Sequence, residues 1–385
     1  MLVSPFPFPS SLDQNLPPVQ SSPIEHLPTP LLCVDVSTVR NNLQGMADYT
    51  SGHRIALRPH IKTHKSRLFS QLQLEMGAVG LTSAKPSEAL AAAIDAEDIL
   101  IAYPSFTPPR LRLLETLAEN HTVRVGIDSV EAAQRIAARE LANSTSTLGL
   151  LIDLDVGHHR TGIASVKEAV ALAQLIESLP NVRFDGVLFF PGQVLPTSQS
   201  VAAGMEDVRE TLVAVIDALD TAGLRPKIVS GGSTPSAKYT HLIPEITEIR
   251  PGTYIFNDLN SVRWQCAEFE DCAAFVHATV ISTAVKGKAV IDAGSKMFSS
   301  DLCGADPTSG LGYLIDHPGA KLARLSEEHG EIELQQSDWS PKVGDRVRIL
   351  PNHICPCVNL QNELVLVDGD QPVSHSTVDA RGMLH

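Results

Sequence analysis

The stretch RPHIKTHK, Arg58 to Lys65, sets three cations and two imidazoles side by side after the apolar run RIAL. A lysine among other cations in a confined place loses preference for its proton, and a neutral amine can attack a carbonyl to form a Schiff base. Lys62 is the candidate amine; a solvated basic loop is the plainer alternative. SGGSTPS, Ser230 to Ser236, is built of small residues whose backbone N–H groups can converge on an anion. A flexible turn would look the same. RPGTYIFND, Arg250 to Asp258, adds Gly252, Thr253 and Tyr254 as further donors. An amine and a phosphate cradle together suggest pyridoxal phosphate, a cofactor that supplies the electron sink while the protein positions and tunes it. In PNHICPCVNL, Pro351 to Leu360, His353 and Cys355 are two residues apart, which in extended backbone places both on one face. Imidazole and thiolate suit zinc, and two protein ligands leave positions for water and substrate. Cys357 shares the parity, but Pro356 and the expected turn leave its direction open. The alternative here is a loop with one surface histidine and one buried thiol.

These segments need elements to hold them. LLCVDV (31–36), RIALR (54–58), AVGLTS (78–83), DILIAY (98–103), TVRVGID (122–128), LGLLIDLD (148–155), VRFDGVLFF (182–190) and PKIVSGG (226–232) read as eight strands, and helical patterns such as EAAQRIAARE and VKEAVALAQLIESL lie between them. Near-continuous apolar strands alternating with helices indicate a (β/α)8 TIM-type barrel of the usual ~250-residue size, with a doubly wound sheet as the alternative. In this register RPHIKTHK leaves the second barrel strand and SGGSTPS the eighth, both at the C-terminal face where barrels carry their chemistry. After about residue 266 the pattern turns to strands and turns, AFVHATVIST, KAVIDAG, DRVRILPN and ELVLVDGD, which reads as an all-β domain. The expected boundaries are 1–27 for a Pro- and Ser-rich arm, 28–265 for the barrel and 266–385 for the β domain carrying His353 and Cys355.

Composition limits the function classes. A net charge of −14 argues against nucleic-acid binding without excluding an anion held in one basic pocket. No apolar run approaches the ~20 residues of a membrane helix. Six cysteines in 385 residues are not a disulfide framework, so reduced thiols and a cytoplasmic location are expected.

TPLLCVDVSTVRNNL, RPHIKTHKS, DLDVGHHRTGI, SGGSTPS, RPGTYIFND, DAGSKMFSSD and PNHICPCVNL occur in the order seen in fold-type III pyridoxal-phosphate enzymes. From about residue 28 onward the chain resembles the D-serine dehydratase and D-threonine aldolase family. The resemblance implies an alanine-racemase-like barrel followed by a β domain. It implies that Lys62 anchors the cofactor, with His64 and Lys65 shaping the field and His60 and Arg160 close by. It makes Ser230, Gly231, Gly232, Ser233 and Thr234 the phosphate loop, completed by Gly252, Thr253 and Tyr254. It makes His353 and Cys355 the ligands of a divalent metal, zinc by the thiolate's preference, with manganese as the alternative. One departure concerns the cofactor pocket: where many relatives carry Tyr and His in a segment like AYxGH, this chain has FFPGQ, with Phe190 and Gln193. Phe190 stacks but forms no strong hydrogen bond, and Gln193, still counted as cofactor-facing, does not titrate. The implied activity is dehydration of a D-3-hydroxy amino acid such as D-serine or D-threonine to a 2-keto acid and ammonia. Retro-aldol cleavage to glycine and an aldehyde is the alternative; the family's aldolases tend to pair His with Asp at the metal and its dehydratases His with Cys. A non-catalytic pyridoxal-phosphate carrier lacks the metal-bearing β domain, and a racemase needs a second base that the sequence does not reveal. A homodimer is implied. A 3-hydroxyaspartate substrate would need an extra cation at Cβ, and sequence alone assigns no residue to that role.

Overall fold

A computed structural model describes residues 23–139, 146–197, 200–306 and 308–385. Most of the expected N-terminal arm lies outside these residues. Its last part is packed: Ile24 is buried with Cys33, Val365 and Val367, and its carbonyl accepts from Arg346 Nη1 at 3.0 Å.

The first strand, β1 (Leu31–Asp35), is not part of the barrel. It pairs antiparallel with β10 (Ala274–Ser282) and parallel with β16 (Glu363–Asp368), inside the C-terminal sheet. The run LLCVDV is buried on both faces, and such a run looks the same in a barrel and in a covered sheet. The barrel strands are β2 (Ala56–Leu57), β3 (Leu81–Ser83), β4 (Asp98–Ile101), β5 (Thr122–Ile127), β6 (Leu148–Leu154), β7 (Val182–Phe189), β8 (Ile228–Gly231) and β9 (Glu248–Ile249). All are parallel, in the order β2-β9-β8-β7-β6-β5-β4-β3. The circuit closes where Ile61 N donates to Thr82 O at 2.9 Å and Thr82 N to Pro59 O at 2.8 Å. RIALR is therefore the first barrel strand, SGGSTPS follows the seventh, and RPGTYIFND follows the eighth. That eighth strand is two residues long and carries Glu248, too short and too polar to show in an apolar pattern.

Helices cover the outside through small and branched residues, as in Val130–Ala137, where Ala132, Ala133, Ile136 and Ala137 are buried. Inside, the barrel is partly polar. Arg58 bonds Glu248 at 2.9 Å and Asp98 at 2.7 Å, Arg124 joins Asp98 to Asp185, and Arg183 bonds Asp185 at 2.7 Å. Toward the C-terminal rim, Ser230 Oγ donates to Glu248 Oε1 at 2.6 Å, and Arg250 Nη1 donates to Ser230 Oγ at 2.7 Å. Each buried charge in this ladder has a partner, the condition under which interior ion pairs persist.

The C-terminal domain comprises β10, β11 (Lys288–Ile291), β12 (Tyr313–Leu314), β13 (Lys321–Leu325), β14 (Gly330–Glu333), β15 (Arg346–Leu350), β16 and β17 (Gln371–Thr377), with β1 between β10 and β16. Pairing of β10 with both β11 and β15 closes the circuit β11-β14-β13-β12-β15-β10. A helix, Ile354–Leu360, interrupts this otherwise β domain. Among the described residues no helix is long and apolar enough to cross a membrane.

Candidate active site

Lys62 sits in the turn after β2, exposed at the C-terminal rim of the barrel. Its neighbours are buried. His60 packs under it and is held well below its ordinary value, chiefly by burial and then by the charges of Lys62 and Arg250. The loop after β9 comes close: a Cβ added to Gly252 would lie 2.9 Å from His60 O and 3.2 Å from Thr63 Oγ1. Only a glycine allows this approach without displacing the Lys62 turn.

The two small-residue loops lie side by side, because β8 and β9 pair through Ser230–Glu248 and Gly231–Ile249. The N–H groups of Gly232, Thr234, Gly252 and Thr253 have no hydrogen-bond partner among the described residues. The Tyr254 N–H is taken by Thr234 Oγ1 at 3.2 Å, and the Ser233 N–H by Ser236 Oγ at 3.1 Å. Unpaired donors converging at buried glycines fit a phosphate monoester. Ser230 points elsewhere, since its hydroxyl is engaged by Glu248 and Arg250 inside the barrel. Gly231 serves packing: a Cβ there would lie 2.2 Å from the Phe189 ring. The Tyr254 hydroxyl is buried against Gln73 Nε2 at 3.2 Å, with burial raising it above the usual phenol range.

Across the rim, a second group forms beyond β6 and β7. The Arg160 guanidinium lies 4.6 Å over the Phe190 ring, and His158 meets that ring edge-on at 5.1 Å. Gln193 Nε2 donates to Val156 O at 2.6 Å, tying the two loops together. Arg250, which the sequence reading passed over, links the groups: it bonds Ser230 and donates to Phe189 O at 2.9 Å, and its charge reaches both His60 and Asp153.

PNHICPCVNL is not extended as expected. His353 is the last extended residue and Cys355 lies in the first turn of the helix Ile354–Leu360, yet the two side chains stay close enough for each to shift the other's titration. Burial would lower His353, but Cys355 and then Asp301 push it up to about 9. Burial would raise Cys355, but His353 and then Thr63 bring it below its ordinary value. The pair is thus poised as imidazolium and thiolate, and once the ring gives up its proton the two form a donor set suited to a borderline-soft divalent ion. His353 Nδ1 meets Asp301 Oδ2 at 2.6 Å, the outer carboxylate that commonly orients a metal-binding histidine. Among the described residues no cluster of three or more His, Cys, Asp or Glu is set to hold a metal, and His353 and Cys355 are the candidate donors at this place. Cys357 turns away, with its Sγ 3.3 Å from His353 O and burial pushing it up to about 12. Cys355 Sγ lies 3.3 Å from Thr63 Oγ1 and 3.9 Å from Thr253 Oγ1, so the pair borders both the Lys62 turn and the loop after β9.

Residues 34–260 match the family model "Alanine racemase, N-terminal domain" and residues 273–367 the model "Putative serine dehydratase domain". The chain belongs to the alanine racemase N-terminal domain family, joined to a serine-dehydratase-type domain. It is 34% identical over 352 residues to D-threo-3-hydroxyaspartate dehydratase of Delftia sp. (strain HT23), covering 86% of this chain and 91% of that one. The crystal structure of D-threonine aldolase from Filomicrobium marinum superposes with a TM-score of 0.87 at 27% identity, covering 96% of this chain and all of that one. A cysteine variant of D-threo-3-hydroxyaspartate dehydratase, solved in a metal-free form, has a TM-score of 0.81 at 30% identity, covering 92% of this chain and 98% of that one. The family is a pyridoxal-phosphate fold family whose relatives include both aldolases and dehydratases.

Proposed function

We propose that this protein is a pyridoxal-phosphate- and divalent-metal-dependent dehydratase of D-3-hydroxy amino acids. The reading rests on one observation: Cys355 Sγ, the partner of His353, lies 3.3 Å from Thr63, the residue that follows Lys62. An amino acid held at Lys62 is small enough to touch the His353–Cys355 pair with its β-hydroxyl. Lys62 and the N–H groups of Gly232, Thr234, Gly252 and Thr253 would hold the cofactor, and His353 and Cys355 the metal; bound, the former supplies the electron sink and the latter a Lewis acid.

The Lys62 amine accepts the substrate's Cα proton. The His353–Cys355 side of the cleft receives the β-hydroxyl, which leaves as water when the Cβ–O bond breaks and it takes up the proton that Lys62 removed from Cα. The resulting enamine hydrolyses to a 2-keto acid and ammonia. Asp301 holds the His353 ring, and Thr63 supports the thiolate. In retro-aldol cleavage the Cα–Cβ bond breaks instead, after the β-hydroxyl loses its proton. Cys355, in place of a carboxylate, supports dehydration because the family's dehydratases tend to pair His with Cys.

A product screen separates the two. The protein loaded with pyridoxal phosphate and zinc or manganese should release ammonia and a 2-keto acid from D-serine, D-threonine or D-3-hydroxyaspartate, and Lys62→Ala should release neither. Glycine and an aldehyde as the main products would overturn dehydration in favour of the aldolase reading. Cofactor binding without metal-dependent turnover would overturn both.

A further inference from the structure

Three side chains at the rim have no task in this reading. Lys85 follows β3, Tyr103 follows β4, and Arg110 lies in the first turn of the helix Pro108–Ala118. They converge: Lys85 Nζ is 3.0 Å from the Tyr103 ring centroid and Arg110 Cζ is 5.0 Å from it. Both cations are partly buried, and neither has an acidic partner among the described residues. Two like charges sharing one ring repel each other, and the ring's quadrupole offsets only part of that. An anion among them would relieve it, with the Tyr103 hydroxyl as a third donor. Lys85 and then Arg110 already draw that hydroxyl below its ordinary value. The chain as a whole carries −14, so this is a local feature.

Its location ties it to Lys62. Ile61 N donates to Thr82 O at 2.9 Å and Ala102 N to Ser83 O at 3.0 Å, so β2, β3 and β4 end side by side on one rim. At the usual strand spacing, the chain positions of Lys62 and Tyr103 are about 10 Å apart, with Lys85 between them. A substrate held at Lys62 therefore has long, flexible cationic side chains within reach of its far end.

We propose that Lys85, Tyr103 and Arg110 form a carboxylate-binding subsite that selects substrates with a second acidic group on Cβ, such as 3-hydroxyaspartate, over serine or threonine. A neutral side chain leaves two partly desolvated cations unpaired; a β-carboxylate accepts from the ammonium, the guanidinium and the phenol. The proposal rests on the reading of Lys62 as the substrate-holding residue, but its test does not depend on turnover.

Calorimetric titration of the pyridoxal-phosphate-loaded protein with D-aspartate and with D-alanine provides that test, because neither ligand has a β-hydroxyl to lose. D-Aspartate should bind more tightly. Lys85→Met and Arg110→Gln should each weaken D-aspartate about 10- to 100-fold and shift D-alanine by no more than about twofold, the signature of a lost charge-assisted hydrogen bond. Lys85→Arg should recover most of the loss. Equal weakening of both ligands would reduce the cluster to a structural role and overturn the proposal. So would unaltered protein that binds D-aspartate no better than D-alanine. Failure of the dehydratase reading is distinct: no product from any D-3-hydroxy amino acid, with the calorimetric preference for D-aspartate intact.

Discussion

Lys62 is positioned by residues that make no claim on the substrate. Gly252 leaves room for His60 and Thr63, and Thr63 in turn touches Cys355. Gly252 has φ −123°, open to any residue, so its constraint is space and not backbone conformation. Gly252→Ala should lower stability by only about 1–3 kcal/mol, the usual range for an overpacked methyl. Its effect on function should be larger, since a misplacement of ~1 Å costs on the order of 100-fold in rate. Cofactor titration by absorbance and product formation would both fall while the thermal midpoint shifts modestly; unchanged cofactor affinity would refute the positioning role. Lys62, His353 and Cys355 were legible in the sequence because their types are chemically unusual where they stand. Thr63, Asp301 and Arg250 were not, because an ordinary threonine, aspartate or arginine acquires its role only from a partner far along the chain.

At the scale of elements, one buried carboxylate sets where the helix bearing Cys355 begins. Asp258 Oδ1 accepts from Ser261 N at 2.9 Å and caps the helix Leu259–Arg263, while its Oδ2 accepts from Ile354 N at 3.1 Å, at the start of Ile354–Leu360. Two helix N-termini, one at the end of the barrel and one bearing Cys355, share a single cap. Asp258→Asn turns one acceptor into a donor facing an N–H group. It should cost about 1–3 kcal/mol as a buried group left unpaired and loosen the register of Cys355 against Thr63. The expected outcome is reduced zinc retention on dialysis, with pyridoxal-phosphate binding kept; equal loss of both, or of neither, would contradict the division of labour. The elements themselves were largely readable, since seven of the eight expected barrel strands lie in the barrel. The exceptions share a cause. LLCVDV is a buried strand paired on both edges with strands of the other domain, and Glu248–Ile249 is a strand held by its neighbours and by the Arg58 ion pair, not by an apolar pattern. The helix at Ile354 was missed because its cap, Asp258, is remote in sequence.

For the molecule as a whole, the site is built over buried neutral imidazoles, which couples its integrity to pH. Ser66 N donates to His64 Nδ1 at 3.2 Å, so the ring proton sits on Nε2, which faces Gln73 Oε1 at 3.2 Å; Gln73 then donates to the Tyr254 hydroxyl. This buried chain runs from the Lys62 turn to the loop after β9. Phe69 packs on the ring, and burial brings His64 down to about 4. The unfolded chain takes the same proton near ~6.5. The unfolded state therefore binds the proton first, and the stability this group confers is complete above that value and lost as pH falls from ~6.5 toward 4, roughly 3 kcal/mol in all. His277, also brought down to about 4, acts in the same direction. Asp153, raised by burial to about 6, acts in the opposite one, gaining stability as pH falls through 6 toward its unfolded value. The total curve mixes these contributions, so the test is differential. Urea unfolding of the intact protein and of His64→Gln, followed between neutral pH and pH 4, should give a shallower fall for the variant, by up to ~1.4 kcal/mol per pH unit. The other groups cancel in that difference, so parallel curves would mean that His64 is protonated in the folded state, and the Ser66 N–H could not then be donating to it.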